Sequence, residues 1–171
     1  PLSKMKPLDE IAQAAAEQRG NGETVVLAHG TFDLLHVGHV RHLREAKKHG
    51  SLLVVTITAD SFVNKGPCRP VFSEHMRAEM LGALEFVDFV GIVRDATAIP
   101  AINAVKPNVY VKGQDYRDAA ADITGGIVTE RHAVESHGGR IEFTDEVTYS
   151  SSSLINRHLA VFDPTLDEFL E

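Results

Sequence analysis

Three histidines at a spacing of three, His36, His39 and His42, follow a glycine-containing turn, His29-Gly30-Thr31-Phe32-Asp33. Residues three apart share one face of a helical turn, so His36 and His39 can point at one ligand. A helix beginning near Val37 would add the N–H donors and partial positive charge of its first turn, which suits an anion and above all a polyphosphate. Gly30 lets the backbone come close to such a ligand, and Gly38 leaves room for two imidazoles side by side. Two other chemistries compete. The histidines could line the wet face of an amphipathic helix. They could also ligate a metal, but a catalytic zinc site takes three well-placed ligands and no further His, Cys or carboxylate motif accompanies them, so no metal site is expected.

The elements that must hold this stretch alternate along the chain. Residues 24–28 are a short apolar run, the signature of a buried strand, ending at His29-Gly30. Residues 37–48 have helical spacing with Gly50 as the expected C-terminal cap, and 52–58 read as a second buried strand. Strand, helix and strand at this spacing predict parallel pairing. The pattern continues with a helix over 73–84 capped by Ser73, a strand over 86–93, a short helix from Pro100 and a strand over 108–111. A helix over 127–136, a Gly138-Gly139 stop, a strand over 140–143 and a helix over 151–159 complete it. A helix over 8–19, stopped by Gly20 and Gly22, comes first, and Asp163-Pro164 opens a last acidic helical segment. The expected fold class is α/β, a Rossmann-like three-layer sandwich around a parallel sheet. Such sheets bind ligands beyond the carboxyl ends of their strands, where the histidine stretch falls. Residues 1–22 are read as an N-terminal helix and linker, 23–160 as the domain, and 161–171 as a tail that could link to a further domain.

Composition narrows the function. The 171 residues are 43% hydrophobic and 24% charged, the balance of a soluble globular chain, and one domain is expected. No apolar run approaches the ~20 residues of a membrane span. Residues 1–6 lack the apolar stretch and cleavage site of a secretory signal and begin on Pro, which suggests a processed or joined end; a cytoplasmic location is expected. Cys68 is the sole cysteine, so no internal disulfide is possible. A formal net charge of −7 without a basic stripe argues against a nucleic-acid partner. The Gly-x-x-x-x-Gly-Lys-Ser/Thr, Gly-x-Gly-x-x-Gly and Gly-x-Ser-x-Gly templates are all missing.

The run Gly30-Thr31-Phe32-Asp33-x-x-His36-x-Gly38-His39 resembles the signature of the cytidylyltransferase-like nucleotidyltransferases, the superfamily that shares the HIGH motif with class I aminoacyl-tRNA synthetases. The resemblance continues through Lys65-Gly66-x-x-Arg69-Pro70, Arg77, Ala83-Leu84-Glu85-x-Val87-Asp88, Val111-Lys112-Gly113-x-Asp115-Tyr116, Gly138-Gly139 and the serine run before Leu154-Ile155. In these details the chain is similar to the nucleotidyltransferase domains of bifunctional heptose-phosphate kinase/adenylyltransferases of lipopolysaccharide synthesis, and more distantly to glycerol-3-phosphate cytidylyltransferases. It departs from the latter where their Arg-Thr-Glu-Gly-Ile-Ser-Thr-Thr is replaced by Thr144-Asp145-Glu146-Val147-Thr148-Tyr149-Ser150-Ser151.

The resemblance implies the HIGH-superfamily fold and transfer of a nucleoside monophosphate from a triphosphate to a small phosphorylated acceptor, with release of pyrophosphate. ATP is the favoured donor and CTP the alternative; the acceptor is a sugar phosphate such as heptose 1-phosphate, or else an alditol phosphate or phosphonate. It implies His36 and His39 as donors, and potentially cations, at the α- and β-phosphates, with Lys65 as a third catalytic residue. Gly30, Thr31, Phe32, Asp33, Gly38, Lys112, Gly113 and Asp115 would border the nucleotide, and Ser150, Ser151 and Ser152 the leaving pyrophosphate. Asp33 could orient the turn or help place Mg²⁺, which would arrive with the triphosphate. Arg69 or Arg77 would hold a phosphate through the planar guanidinium fork. A homodimer and fusion or coupling to a sugar kinase are further expectations. The reading of another class is a regulatory module that binds nucleotide without turnover.

Overall fold

The computed structural model describes residues 1–113 and 126–144. In chain order these form α1 (Leu8–Gly20), β1 (Val25–Gly30), α2 (Val37–Lys47), β2 (Leu52–Thr58), α3 (Glu74–Gly82), β3 (Phe89–Val93), α4 (Ile99–Val105), β4 (Val109–Gly113), α5 (Gly126–Ser136) and β5 (Arg140–Thr144). The expected helix over 151–159 and the segment from Asp163 lie outside the described residues. The strands lie in the order β3-β2-β1-β4-β5 and every pair is parallel. All seven residues of β2 are buried, as expected of a strand covered on both faces. Pairing of Gly30 with Ile57 brings the carboxyl ends of β1 and β2 level. The sheet is built outward from β1 in one direction through β2 and β3, then in the other through β4 and β5. The crevice between β1 and β4 is therefore the topological switch point, the usual ligand position in such sheets.

Successive residues of a strand face opposite ways, and each face of this sheet carries its own helices. On one face Leu43 and Ala46 of α2 and Ala78 and Leu81 of α3 pack with Val26, Ala28, Leu53, Val55 and Val111. On the other, Ile11 and Ala15 of α1, Ala101 and Ile102 of α4 and Val134 of α5 cover Val25, Leu27, Val54 and Tyr110. This is a Rossmann-like α/β sandwich of three layers. Burial of each such aliphatic side chain contributes roughly 1.5–3 kcal/mol before entropy is counted. The N-terminal segment lies along the β3 edge: Met5 bridges to Val90, and Ile11 of α1 lies against Gly91. No helix among the described residues is long and apolar enough to cross a membrane.

Two boundaries differ from the sequence expectation for local reasons. The strand expected from residue 86 starts at Phe89, because Val87 N–H bonds Leu84 O in the turn leaving α3, and Asp88 accepts from Leu53 N–H at 2.7 Å and Lys47 Nζ at 2.5 Å. Gly50 is not the cap of α2; the C-cap is Lys48, in ordinary helical conformation. Gly50 instead allows a close crossing, since a Cβ there would lie 2.4 Å from Thr24 O. Gly50→Ala is expected to cost about 1–3 kcal/mol through overpacking. Thermal melting would measure this, and an unchanged midpoint would mean that the crossing relaxes freely.

Candidate active site

The turn between β1 and α2 is closed by imidazoles. His36 is the N-cap of α2, with extended backbone (φ −133°, ψ 172°) and Nδ1 accepting Gly38 N–H at 3.1 Å. Reciprocally, His39 Nδ1 accepts His36 N–H at 3.4 Å, so the two rings do what a capping Ser and Glu ordinarily do. The rings stack with centroids 3.9 Å apart and planes 27° from parallel. With Nδ1 as acceptor, the nitrogen left to donate on His36 is Nε2. Phe32, in left-handed conformation (φ 49°), sets its ring edge-on to His39 at 5.2 Å. Gly30 makes room for that ring, because a Cβ there would lie 3.1 Å from Phe32 Cε2.

Burial, followed by the charges of His36, His42 and Lys65, lowers His39 to about 3, against a weaker opposing hydrogen bond to the Leu34 backbone. His39 without ligand is therefore a neutral hydrogen-bonding group at pH 7. Lys65 is brought within electrostatic reach of this ring. Its own ammonium is lowered by partial burial and by Arg69, while Asp33 pulls the other way.

Asp33 and the two arginines are buried together beneath this turn. Asp33 is 1% exposed: Oδ1 accepts Val71 N–H at 2.7 Å and Phe72 N–H at 3.2 Å, and Oδ2 accepts Arg69 Nε at 2.7 Å. It orients the turn and the facing loop, and these donors occupy the carboxylate that was considered for placing Mg²⁺. Arg77 has no exposed surface, and its guanidinium donates to Phe72 O, Thr31 O, Thr58 O and Asp60 Oδ1. It is an internal brace rather than a phosphate fork. Arg69 differs, for its side chain is 3% exposed and Nη2 is buried without a hydrogen-bond partner. Among the described residues no group of three His, Cys, Asp or Glu could hold a metal ion.

Lys112 and Gly113 end β4 beside the switch point. Lys112 Nζ pairs with Glu130 Oε2 of α5 at 2.8 Å, and the Tyr110 hydroxyl donates to the same oxygen at 3.1 Å. Glu130 gave no sequence signal. His29 is held between Thr56 Oγ1 at 2.9 Å and Thr58 Oγ1 at 3.3 Å, and His42 Nδ1 meets Thr144 Oγ1 at 2.7 Å. Burial, then the Lys112 charge, lowers His29 to about 3 and His42 to about 4. Asp115, Ser150, Ser151 and Ser152 lie outside the described residues.

These three neutral histidines give a pH prediction. Their folded values lie below the ordinary 6.5, so between pH 6.5 and about 3–4 the unfolded chain binds more protons. Stability is full above 6.5 and falls as pH drops through that window, by up to about 1.4 kcal/mol per pH unit for each histidine. Urea denaturation at pH 7.5 and 5 measures it; equal stabilities would contradict the buried neutral assignment.

Residues 27–157 fit the family model described as cytidylyltransferase-like, which is more than half of the chain. The chain belongs to the cytidylyltransferase-like family. Among curated relatives of this cytidylyltransferase-like chain, Bifunctional protein HldE of Syntrophotalea carbinolica is 38% identical over 160 residues, covering 92% of this chain and 31% of the relative. Bifunctional protein HldE of Citrifermentans bemidjiense is 41% identical over 155 residues, covering 90% and 30%. The chain thus spans about a third of the length of these relatives. A crystal structure of the lipopolysaccharide core biosynthesis protein from Thermoplasma volcanium aligns with TM-score 0.59 and 26% identity, over 75% of this chain and all of that one. Pantoate–β-alanine ligase from Francisella tularensis shares the fold alone, at TM-score 0.59 and 15% identity over 96% of this chain and 76% of that one.

Proposed function

We propose that this chain is a nucleotidyltransferase that moves a nucleoside monophosphate from a Mg²⁺-bound triphosphate to a small phosphorylated acceptor. The observation that carries this reading is the stacked His36–His39 pair at the N-terminus of α2, beside the switch point of a parallel sheet. In the reaction an acceptor phosphate oxygen attacks the α-phosphorus in line, the bond to the bridging oxygen breaks, and pyrophosphate leaves with that electron pair. No covalent enzyme intermediate is required. The protein positions two polyanions and stabilises the charge that shifts between them.

His36 and His39 serve the α- and β-phosphates as neutral donors, assisted by the first-turn N–H groups of α2. Lys65 and the unpartnered Nη2 of Arg69 seat the acceptor's phosphate, because a buried guanidinium nitrogen left without an acceptor favours an anionic guest. Lys112, Gly113 and Asp115 border the nucleoside, and Ser150, Ser151 and Ser152 the pyrophosphate. Mg²⁺ enters with the triphosphate, bound through phosphate oxygens. The motif resemblance favours ATP as donor and a sugar phosphate such as heptose 1-phosphate as acceptor, and similarity to a lipopolysaccharide core biosynthesis protein supports a sugar-linked acceptor. Fusion or coupling to a sugar kinase is supported by the bifunctional relatives, of which this chain spans about a third. We further propose a cytoplasmic homodimer.

The test is pyrophosphate release with Mg²⁺, with ATP, CTP, GTP and UTP each offered heptose 1-phosphate, other sugar 1-phosphates, glycerol 3-phosphate and small phosphonates. Turnover that needs both substrates and Mg²⁺ is expected with one pair. Triphosphate binding without turnover would indicate a regulatory module, and absence of triphosphate binding would overturn the reading.

A further inference from the structure

Arg77 has no exposed surface, yet it reaches the segments that carry the proposed chemistry. Nη1 donates to Thr31 O at 2.5 Å, Nε to Phe72 O at 2.9 Å, and Nη2 to Thr58 O at 2.9 Å and Asp60 Oδ1 at 2.7 Å. Thr31 lies in the turn that leads to His36; Thr58 ends β2; Phe72 belongs to the loop that carries Lys65 and Arg69. Asp33 spans the same gap independently, accepting from Val71 N–H and Phe72 N–H. Two side chains, one from each side, thus join the turn after β1 to the loop after β2. A buried carbonyl needs a donor, and the planar fork of one arginine satisfies three of them in a fixed relative geometry that no other side chain reproduces.

We infer that Arg77 is a positioning residue that fixes the distance between the nucleotide-binding turn and the acceptor-binding loop without contacting either substrate. The inference rests on the transferase reading above. Transfer between two bound anions depends steeply on their mutual placement, and a misplacement of about 1 Å can cost ~10² in rate. Each half of the site keeps its own ligands when the brace loosens: His36 and His39 on one side, Lys65 and Arg69 on the other. Each substrate therefore still binds, and the loss falls on the step that needs both.

Arg77→Lys keeps a positive charge and loses the fork. The measurements are kcat, KM for both substrates, equilibrium Kd for the triphosphate alone, and thermal melting. With wild-type turnover established in the same assay, kcat is expected to fall by about 10² while both KM values and the triphosphate Kd stay within about threefold. A folded Arg77→Lys variant with wild-type kcat overturns the inference. So does a tenfold or greater loss of affinity with kcat retained, the behaviour of a direct phosphate ligand. If Arg77→Lys does not fold, Asp60→Ala decides, because the Asp60 side chain is 40% exposed and its truncation removes only the outer partner of Nη2. An approximately fivefold fall in kcat at unchanged KM is then expected, and unchanged kcat overturns the inference. A wild-type chain that turns over no pair overturns the transferase reading itself, and this inference with it.

Discussion

His39→Ala is expected to lower kcat by about 10²–10³, equivalent to roughly 3–4 kcal/mol, the usual loss when one preorganised donor to a developing oxyanion is removed. The preorganisation is visible in the resting site, where His39 is stacked on His36 at 3.9 Å, wedged by Phe32 at 5.2 Å and held neutral by burial. A neutral donor needs no proton loss or solvent rearrangement before it meets the phosphates, so its contribution is concentrated in the transition state. The variant also loses the acceptor for His36 N–H, a capping contact worth about 1 kcal/mol of stability. His39→Asn separates the two effects, because its side-chain oxygen can restore the cap while its amide is placed differently toward a phosphate. Asn is expected to recover most of the stability and little of the rate. Comparable rates for wild type, Ala and Asn in a chain that turns over would remove His39 from the chemistry. Recovery of rate together with stability would reduce it to a helix cap.

The histidine pair was legible because its evidence is local: spacing, glycine turn, strand before and helix after all lie within a few residues. The alternation of apolar strands and amphipathic helices was legible for the same reason, and the observed elements follow it closely. What the sequence concealed are pairings across long separations. Arg77 and Arg69 belong to the same motif run, yet one braces backbone carbonyls and the other keeps a nitrogen unpartnered; carbonyl partners leave no residue-type trace. Glu130 matters only because α5 brings it to Lys112, which no periodicity announces. Gly50 looked like a cap because it follows a helix, whereas its absent Cβ serves a crossing with Thr24 on another element.

The same long-range architecture makes Asp33 the most vulnerable position for folding. Its carboxylate pairs with Arg69 at 2.7 Å, with side-chain exposures of 1% and 3%, and also binds two loop N–H groups. A buried ion pair adds little net stability over an apolar replacement, but removing one partner strands a charge, at a cost of about 3–5 kcal/mol. Asp33→Ala strands Arg69 and orphans Val71 N–H and Phe72 N–H, so a loss at the upper end of that range is expected. Against a typical total of 5–15 kcal/mol this is enough to populate unfolded chain at physiological temperature. Asp33→Asn keeps an oxygen for the two N–H groups and should lose less. Urea denaturation measures both, and a loss below about 1 kcal/mol for Ala would mean that the loop holds its shape without the turn. A stranded guanidinium should also recruit an anion from solution. Inorganic phosphate is therefore expected to raise the melting temperature of Asp33→Ala more than that of wild type, because it binds the folded state and can offset the buried charge. An equal shift in both proteins would mean that phosphate does not reach Arg69, and would place the acceptor's seat elsewhere.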